Sequence, residues 1–332
     1  MAQNTQPIVV TGAAGFIGSS VAAALLARGE RVVGVDNFDP YYSRSTKEAN
    51  LARLACPAFE AVEMDIRDDQ AMAGLFGRRR PAGVVHLAAR AGVRPSVADP
   101  VGYASANVLG TAGVLRAAER AGCTRVVLAS SSSVYGNNRK TPFSEEDPVE
   151  SPISPYASTK RCCELIAHTH HHLTGMPTAC LRFFTVYGPG QRPDLGIATF
   201  MRLMREGKPI VMFGDGSMSR DYTFIEDTVR GVLAAYDRIS AHGYRVWNLG
   251  SDRPVRLDAL IDEIAAIAGL TPRIERADPP KGDVERTWAD LTRAKAELGY
   301  APSTPLRAGL MRQWAACSGE RGAADGGSIS KG

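Results

Sequence analysis

At 332 residues, 44% of them hydrophobic and 22% charged, the chain is long enough for one large domain or two and has the make-up of a soluble globular protein. No apolar run reaches the roughly 18 residues of a membrane span, and a net charge of +4 without a basic stripe does not suggest a nucleic-acid surface. The polar stretch 1–7 lacks the features of a signal segment, so a cytoplasmic protein is expected. Its six cysteines (Cys56, Cys123, Cys162, Cys163, Cys180 and Cys317) have neither metal-ligand spacing nor a disulfide framework, and are read as buried small apolar residues.

In chain order, Ile8-Val9-Val10 reads as a short strand, and Thr11-Gly12-Ala13-Ala14-Gly15-Phe16-Ile17-Gly18 turns from it into a helix over 19–28. A glycine-rich turn here lets backbone approach a pyrophosphate, which the free N–H groups and dipole of the helix start then hold. Gly12, Gly15, Phe16, Ile17 and Gly18 are therefore expected at a dinucleotide. The next strand, 31–35, ends at Asp36, about 20 residues beyond the glycines, where an acid accepts from ribose hydroxyls and repels a 2′-phosphate. NAD is expected rather than NADP.

Further strands over 59–63 and 83–87 and a long helix over 104–121 alternate in the manner of a parallel, doubly wound α/β sheet, whose ligands lie at the carboxyl ends of its strands. That rule puts Asp65 and Ile66 by the adenine and Leu87, Ala88 and Ala89 beneath the cofactor. Arg90 and Arg94 follow in a loop. The strand 125–129 then delivers Ser130-Ser131-Ser132-Ser133-Val134-Tyr135-Gly136 to the same edge.

The stretch 154–172 reads as a loop entering a helix. Tyr156 and Lys160, four apart, share a helical face, and an ammonium beside a phenol favours the phenolate, which makes Tyr156 a candidate proton acceptor. A hydroxyl from the serine run can relay or orient the substrate proton. His168, His170, His171 and His172 lack partners at ligand spacing and read as a solvated helix end, so no metal is expected. Beyond the strand 178–184 the alternation weakens into glycine and proline turns. Residues 1–184 are expected to form mainly the cofactor domain and 185–317 mainly a substrate-holding portion that partly returns to the first; 318–332, poor in apolar surface, reads as a disordered tail.

With these motifs assembled, the chain resembles the extended short-chain dehydrogenase/reductase superfamily over residues 7–315, most closely its nucleotide-sugar epimerases acting at C4 of UDP-glucuronate. The more specific stretches are His86-Leu87-Ala88-Ala89-Arg90-Ala91-Gly92-Val93-Arg94-Pro95-Ser96, the serine run, Pro152-Ile153-Ser154-Pro155-Tyr156, and Leu181-Arg182-Phe183-Phe184-Thr185-Val186-Tyr187-Gly188-Pro189.

The resemblance implies a Rossmann-type fold, a tightly held NAD, a UDP-sugar substrate and a homodimer built on the helices at 104–121 and 158–173. It makes Tyr156 the base, Lys160 the residue that favours its ionised form and holds the nicotinamide ribose, and Ser131 the catalytic hydroxyl. Asp36 and Asn37 match the adenosine-ribose pair, and Ser130 and Asn107 belong to the cofactor side. Arg220 matches a diphosphate-binding arginine, Val211 and Phe213 line a uridine pocket, and Asp283 stands at the uridine ribose. An arginine that some relatives carry three positions before that aspartate is Pro280 here, leaving Arg286 as a candidate replacement.

Related dehydratases place an Asp-Glu pair after the catalytic hydroxyl, and related decarboxylases a Glu before Val-Tyr-Gly. This chain has Ser132 and Ser133 at those positions. An epimerase is therefore expected, with Arg94 near the substrate and Ser132, Ser133, Thr185 and Arg192 holding the sugar carboxylate. A neutral-sugar epimerase, a decarboxylase and an NAD-sensing regulator on the same fold are the alternatives.

Overall fold

The computed structural model describes residues 6–278 and 284–318. Short apolar runs bounded by turns become strands: β1 (Ile8–Thr11), β2 (Val32–Asp36), β3 (Phe59–Glu63), β4 (Gly83–His86), β5 (Val126–Ser131) and β6 (Thr178–Phe183). Between them run α1 (Phe16–Ala27), α2 (Arg44–Ala52), α3 (Asp69–Arg79), α4 (Val93–Ala98), α5 (Pro100–Tyr103), α6 (Gly110–Arg120) and α7 (Pro155–Thr174). The second half adds β7 (Thr185–Tyr187), α8 (Gly196–Arg205), β8 (Ile210–Phe213), β9 (Ser219–Phe224), α9 (Ile225–Arg238), β10 (Tyr244–Leu249), β11 (Pro254–Arg256), α10 (Leu257–Ala268), β12 (Ile274–Ala277), α11 (Thr292–Leu298) and α12 (Leu306–Ser318).

Seven strands make one parallel sheet in the order β10-β6-β5-β4-β1-β2-β3. The chain starts in the middle at β1, winds outward to β3, then crosses back to β4 and winds the other way. The crevice where that direction reverses opens at the carboxyl ends of β1 and β4, the place where open α/β sheets bind ligands. Helices cover both faces, α1 and α9 on one, α3, α6 and α7 on the other. Among the remaining strands, β7, β9 and β11 form a three-stranded sheet and β8 pairs with β12.

Some expectations need correcting. The helix expected over 104–121 is interrupted by a π-helical turn at Ala104–Leu109, where the buried Asn107 turns its side chain to backbone groups of Arg90 instead of to solvent. Ser130 and Ser131 belong to β5 itself, and Ser132–Tyr135 forms a 3-10 turn. Cys123, Cys163 and Cys180 are buried, whereas Cys56, Cys162 and Cys317 are exposed. His168 and His171 both pack against Tyr244, His171 also bonds the Met176 carbonyl, and the half-buried His170 lies 3.3 Å from Glu119, so these three belong to the helix-end packing, while His172 is exposed. Pro280, Asp283 and the tail beyond residue 318 lie outside the described residues.

Strands β5 and β6 and helix α7 are locked together by one buried ion pair. Glu164 and Arg182, with side chains 0% and 3% exposed, form a bidentate pair at 2.8 and 2.9 Å. Ser130 Oγ donates to Glu164 Oε1 at 2.6 Å, and Arg182 Nη1 donates to the Tyr135 hydroxyl at 3.0 Å, which in turn donates to Asn248 Oδ1 on β10 at 2.7 Å. Burial alone would raise the Glu164 carboxyl; the hydrogen bonds and charge of Arg182 outweigh it and hold the group below its ordinary value. A depressed carboxyl stabilises the fold above its unfolded-state pKa, and that contribution is lost as pH falls through the folded value.

Arg182→Met leaves the buried carboxylate with only Ser130 and the partly exposed Arg161, and should cost about 3–5 kcal/mol at neutral pH. Glu164 then resists ionisation, so thermal melts should find the gap to wild type narrowing as pH drops below 5, the region where unfolded Glu is roughly half protonated. A gap independent of pH would contradict this account.

Candidate active site

The site is built first at the turn after β1. Gly12 has φ +72°, and a Cβ there would come within 2.8 Å of the Ala88 nitrogen; one on Gly18 would lie 2.0 Å from the Gly12 carbonyl. The glycines thus let the loop pack directly onto Leu87-Ala88 and onto the first turn of α1. That helix starts at an extended Gly15 with no side-chain cap, so its first N–H groups are available to an anion. Beneath the loop, His86 Nδ1 bonds Thr11 Oγ1 at 2.7 Å and Nε2 bonds Thr111 Oγ1 at 3.0 Å, while Thr11 Oγ1 accepts from the Ala88 N–H at 3.1 Å. Burial, aided by the charge of Lys160, lowers His86 to about 3, so the imidazole is a neutral strut between β1, β4 and α6.

A cavity of about 540 Å³ opens over this loop. It is lined by Gly12, Gly15, Phe16, Ile17 and Gly18, by Asp36 and Asn37 after β2, by Asp65 and Ile66 after β3, and by Leu87, Ala88 and Ala89 after β4. Asp36 accepts the Ala14 and Phe38 N–H groups at 3.1 and 2.9 Å, with Lys47 at 3.5 Å, and a carboxylate's roughly four lone-pair sites leave it capacity for more. Asn37 donates to Asp65 at 3.0 Å; Arg67, chiefly, and Asn37 hold that carboxyl well below the usual range. An elongated cleft with bare N–H groups at one point and carboxylates at the strand ends fits a dinucleotide.

The other end of the same cavity carries Ser130, Ser131, Ser132, Ser133, Tyr156, Lys160, Thr185 and Arg192. Ser154 caps α7 by accepting the Ala157 N–H, Pro155 pre-sets the first turn, and the Tyr156 N–H is taken by Ser96 Oγ at 3.1 Å. Tyr156 and Lys160 thus project from a helix start anchored on both sides. Lys160 Nζ donates to the Ala129 carbonyl at 2.7 Å, leaving further donors for the cavity. Ser131 Oγ accepts the Ser133 N–H at 3.2 Å and lies 3.1 Å from Ser133 Oγ, which orients both hydroxyls.

A second cavity of about 120 Å³ shares Val93, Ser132, Ser133 and Thr185 with the first and adds Ile153, Ser154, Arg220, Val284 and Thr287. Arg220 donates to the Ser219 and Glu285 carbonyls at 2.9 and 3.1 Å, fixing it at that wall. Arg94 stands with its guanidinium 4.4 Å over the Phe213 ring, and Val211 is exposed; none of these three lines either cavity. Asn107 does not line them either: its amide spans the N–H and C=O of Arg90 and donates to Thr159 on α7, holding the loop after β4 in place. Arg90 pairs with Asp39 and Asp99. Sequence reasoning passed over Tyr41 and Tyr42, in the loop after Asp36, and Lys47 on α2, which wall the larger cavity. The adjacent tyrosines in a proline-containing loop were the available signal.

Known proteins align with this chain along nearly its whole length. The UDP-glucuronate 4-epimerase of Thermodesulfobacterium geofontis is 40% identical over 306 residues, 92% of this chain and 94% of its own. Among solved structures, the UDP-glucuronic acid 4-epimerase of Bacillus cereus in complex with UDP-glucuronic acid and NAD superposes with a TM-score of 0.89 at 34% identity, covering 94% of this chain and 99% of that one. The UDP-glucose 4-epimerase of Thermotoga maritima with UDP-glucose superposes with a TM-score of 0.86, also at 34% identity, covering 94% and 99%. Residues 8–250 match the NAD dependent epimerase/dehydratase family, and the chain belongs to it.

Proposed function

We propose that this protein is an NAD-dependent UDP-glucuronate 4-epimerase, converting UDP-glucuronate to UDP-galacturonate without loss of CO2. The observation that carries this reading is the lining around the serine run: Ser132, Ser133 and Thr185, shared by both cavities, with Ser131 and Arg192 in the larger one, hydroxyls and one guanidinium. The carboxylates of the larger cavity, Asp36, Asp39 and Asp65, follow β2 and β3, at the far end of the sheet from β5. A site for elimination of water needs an acid and a base beside the catalytic hydroxyl; a site for a sugar acid needs donors for its carboxylate. The 40% identity to the Thermodesulfobacterium enzyme supports the same reading.

The glycine loop, the open start of α1 and Asp36 would hold NAD, which when bound supplies the reversible oxidation of the sugar's C4 carbinol to a ketone. Tyr156 accepts the C4 hydroxyl proton and later returns it. Lys160, held by the Ala129 carbonyl, lines the same cavity as the phenol, and Ser131 orients the hydroxyl. The second cavity, with Arg220, takes the nucleotide side of the substrate, so the sugar ring can turn about its diphosphate tether while the uridine stays put. On this reading residues 1–184 serve mainly the cofactor and 185–317 mainly the nucleotide sugar, with β10 returning to the large sheet.

A 4-keto glucuronate is a β-keto acid. If its C5–C6 bond aligns with the carbonyl π system, the bond's electron pair enters the ketone as an enolate and C6 departs as CO2. A bidentate guanidinium from Arg192 holds the carboxylate out of that alignment. Homodimerisation through α4 to α7 is part of the proposal: Val97, Val101 and Leu109 before α6 and Leu165 and Leu173 on α7 are exposed apolar side chains on packed neighbouring helices.

Proton NMR of the purified protein with UDP-glucuronate, without added NAD, should reveal UDP-galacturonate and no CO2; UDP-xylose or a 4-keto pentose would overturn the reading. Tyr156→Phe should lower kcat roughly 10²–10⁴-fold, the usual worth of a positioned acid–base group, with a smaller change in KM. Arg192→Ala should raise the ratio of CO2 to epimer or weaken substrate binding, and unchanged values of both would remove Arg192 from this role.

A further inference from the structure

Arg192 lies in the loop between β7 and α8, and its side chain is 15% exposed. A guanidinium offers five N–H donors along three edges, on a flexible stem with many rotamers. Pointing such a group at a carboxylate with a fixed plane therefore needs something behind it. Two residues on, Asp194 takes the Nε–Nη2 edge with both oxygens, at 3.0 and 2.7 Å. The Tyr41 ring covers one face, its centroid 4.9 Å from Cζ, and the Tyr41 hydroxyl lies 3.4 Å from the same Asp194 oxygen that accepts from Nη2. Arg192, Tyr41 and Leu195 line the larger cavity, whereas Asp194 does not. The acid thus grips the guanidinium from outside the cavity, and the Nη1–Nη2 edge is not engaged by it.

We propose that Asp194, with Tyr41, is a positioning residue that fixes the plane of the Arg192 guanidinium and presents its Nη1–Nη2 edge to the sugar carboxylate, so that Asp194 sets the partition between epimer and CO2. This rests on the reading of Arg192 given above. The reason is angular. Keeping the C5–C6 bond out of the ketone's π system requires a carboxylate held in one orientation, and a guanidinium that swings on a flexible stem supplies charge without orientation. In decarboxylation the C5–C6 pair moves into the C4 carbonyl, C6 leaves as CO2, and a proton restores C5. No co-reactant is required, so loss of geometry alone opens that route. The opposing possibility is that Asp194 competes with the substrate for one and the same edge.

The test measures UDP-galacturonate by proton NMR and CO2 in parallel for wild type, Asp194→Ala and Asp194→Asn, with the dissociation constant of UDP as a check on folding because UDP carries no sugar acid. Asp194→Ala should raise the CO2-to-epimer ratio at least tenfold, and Asp194→Asn, which keeps one acceptor oxygen, should fall between it and wild type. A merely structural role would lower total turnover without moving the ratio, and that result overturns the proposal. A lower KM for UDP-glucuronate with an unchanged ratio overturns it in favour of competition. If wild type makes no UDP-galacturonate, the functional reading falls and this proposal with it; if wild type epimerises and only the variants fail to shift the ratio, the reading stands and the role of Asp194 is refuted.

Discussion

Withdrawing a carboxylate from water costs several kcal/mol unless cations and hydrogen bonds replace the lost solvent. Glu164, fully buried on α7, obliges its neighbours to do so. Arg182 on β6 supplies the charge, Ser130 at the end of β5 supplies a hydroxyl, and Arg161 adds a third contact at 3.1 Å. The carboxylate therefore dictates how far apart the helix and the two strands stand. Lys160, one turn earlier on the same helix, grips the carbonyl just before Ser130. Ser131, Tyr156 and Lys160 are all carried by elements that this one pair holds in register.

Charge along the larger cavity is graded. At the ends of β2 and β3 stand Asp36 and Asp65; the end of β5 and the turn after it bring serines, the start of β7 brings Thr185, and the loop after β7 brings Arg192. The gradient follows from the strand order, since β2 and β3 lie on one side of β1 and β4 and β5 on the other. One crevice therefore offers acceptors at one end and donors at the other. On the proposed function, that asymmetry suits a dinucleotide at one end and an acidic sugar at the other.

The comparisons mark how little the fold alone decides. An enzyme for glucuronate and one for glucose both superpose on this chain at 34% identity. A shared scaffold hosts several chemistries, and the choice among them lies in a few side chains at the site. On the proposed function those side chains are Ser131, Ser132 and Ser133 at and just after the end of β5, Thr185 at the start of β7 and Arg192 in the loop after it.

The glycine loop, Asp36, the alternation of strands and helices, and the spacing of Tyr156 and Lys160 were legible in the chain because each is a local pattern: a turn that needs glycine, a strand end, a helical face. Those patterns determined the parallel sheet and many of the residues around the larger cavity, to which the family resemblance added Asn37, Thr185 and Arg192. The π-helical turn at Asn107 was not legible, because it arises from that side chain bonding across space to Arg90. Nor did spacing reveal that Glu164 would meet Arg182 and Ser130, or that Tyr41 and Asp194 would close around Arg192, since those partners are separated by up to 153 residues and meet only when the sheet and its loops are assembled. Local conformational preference is written in neighbouring residues. The orientation of a charged side chain is set by whatever the fold brings against it, and that the tertiary structure alone decided.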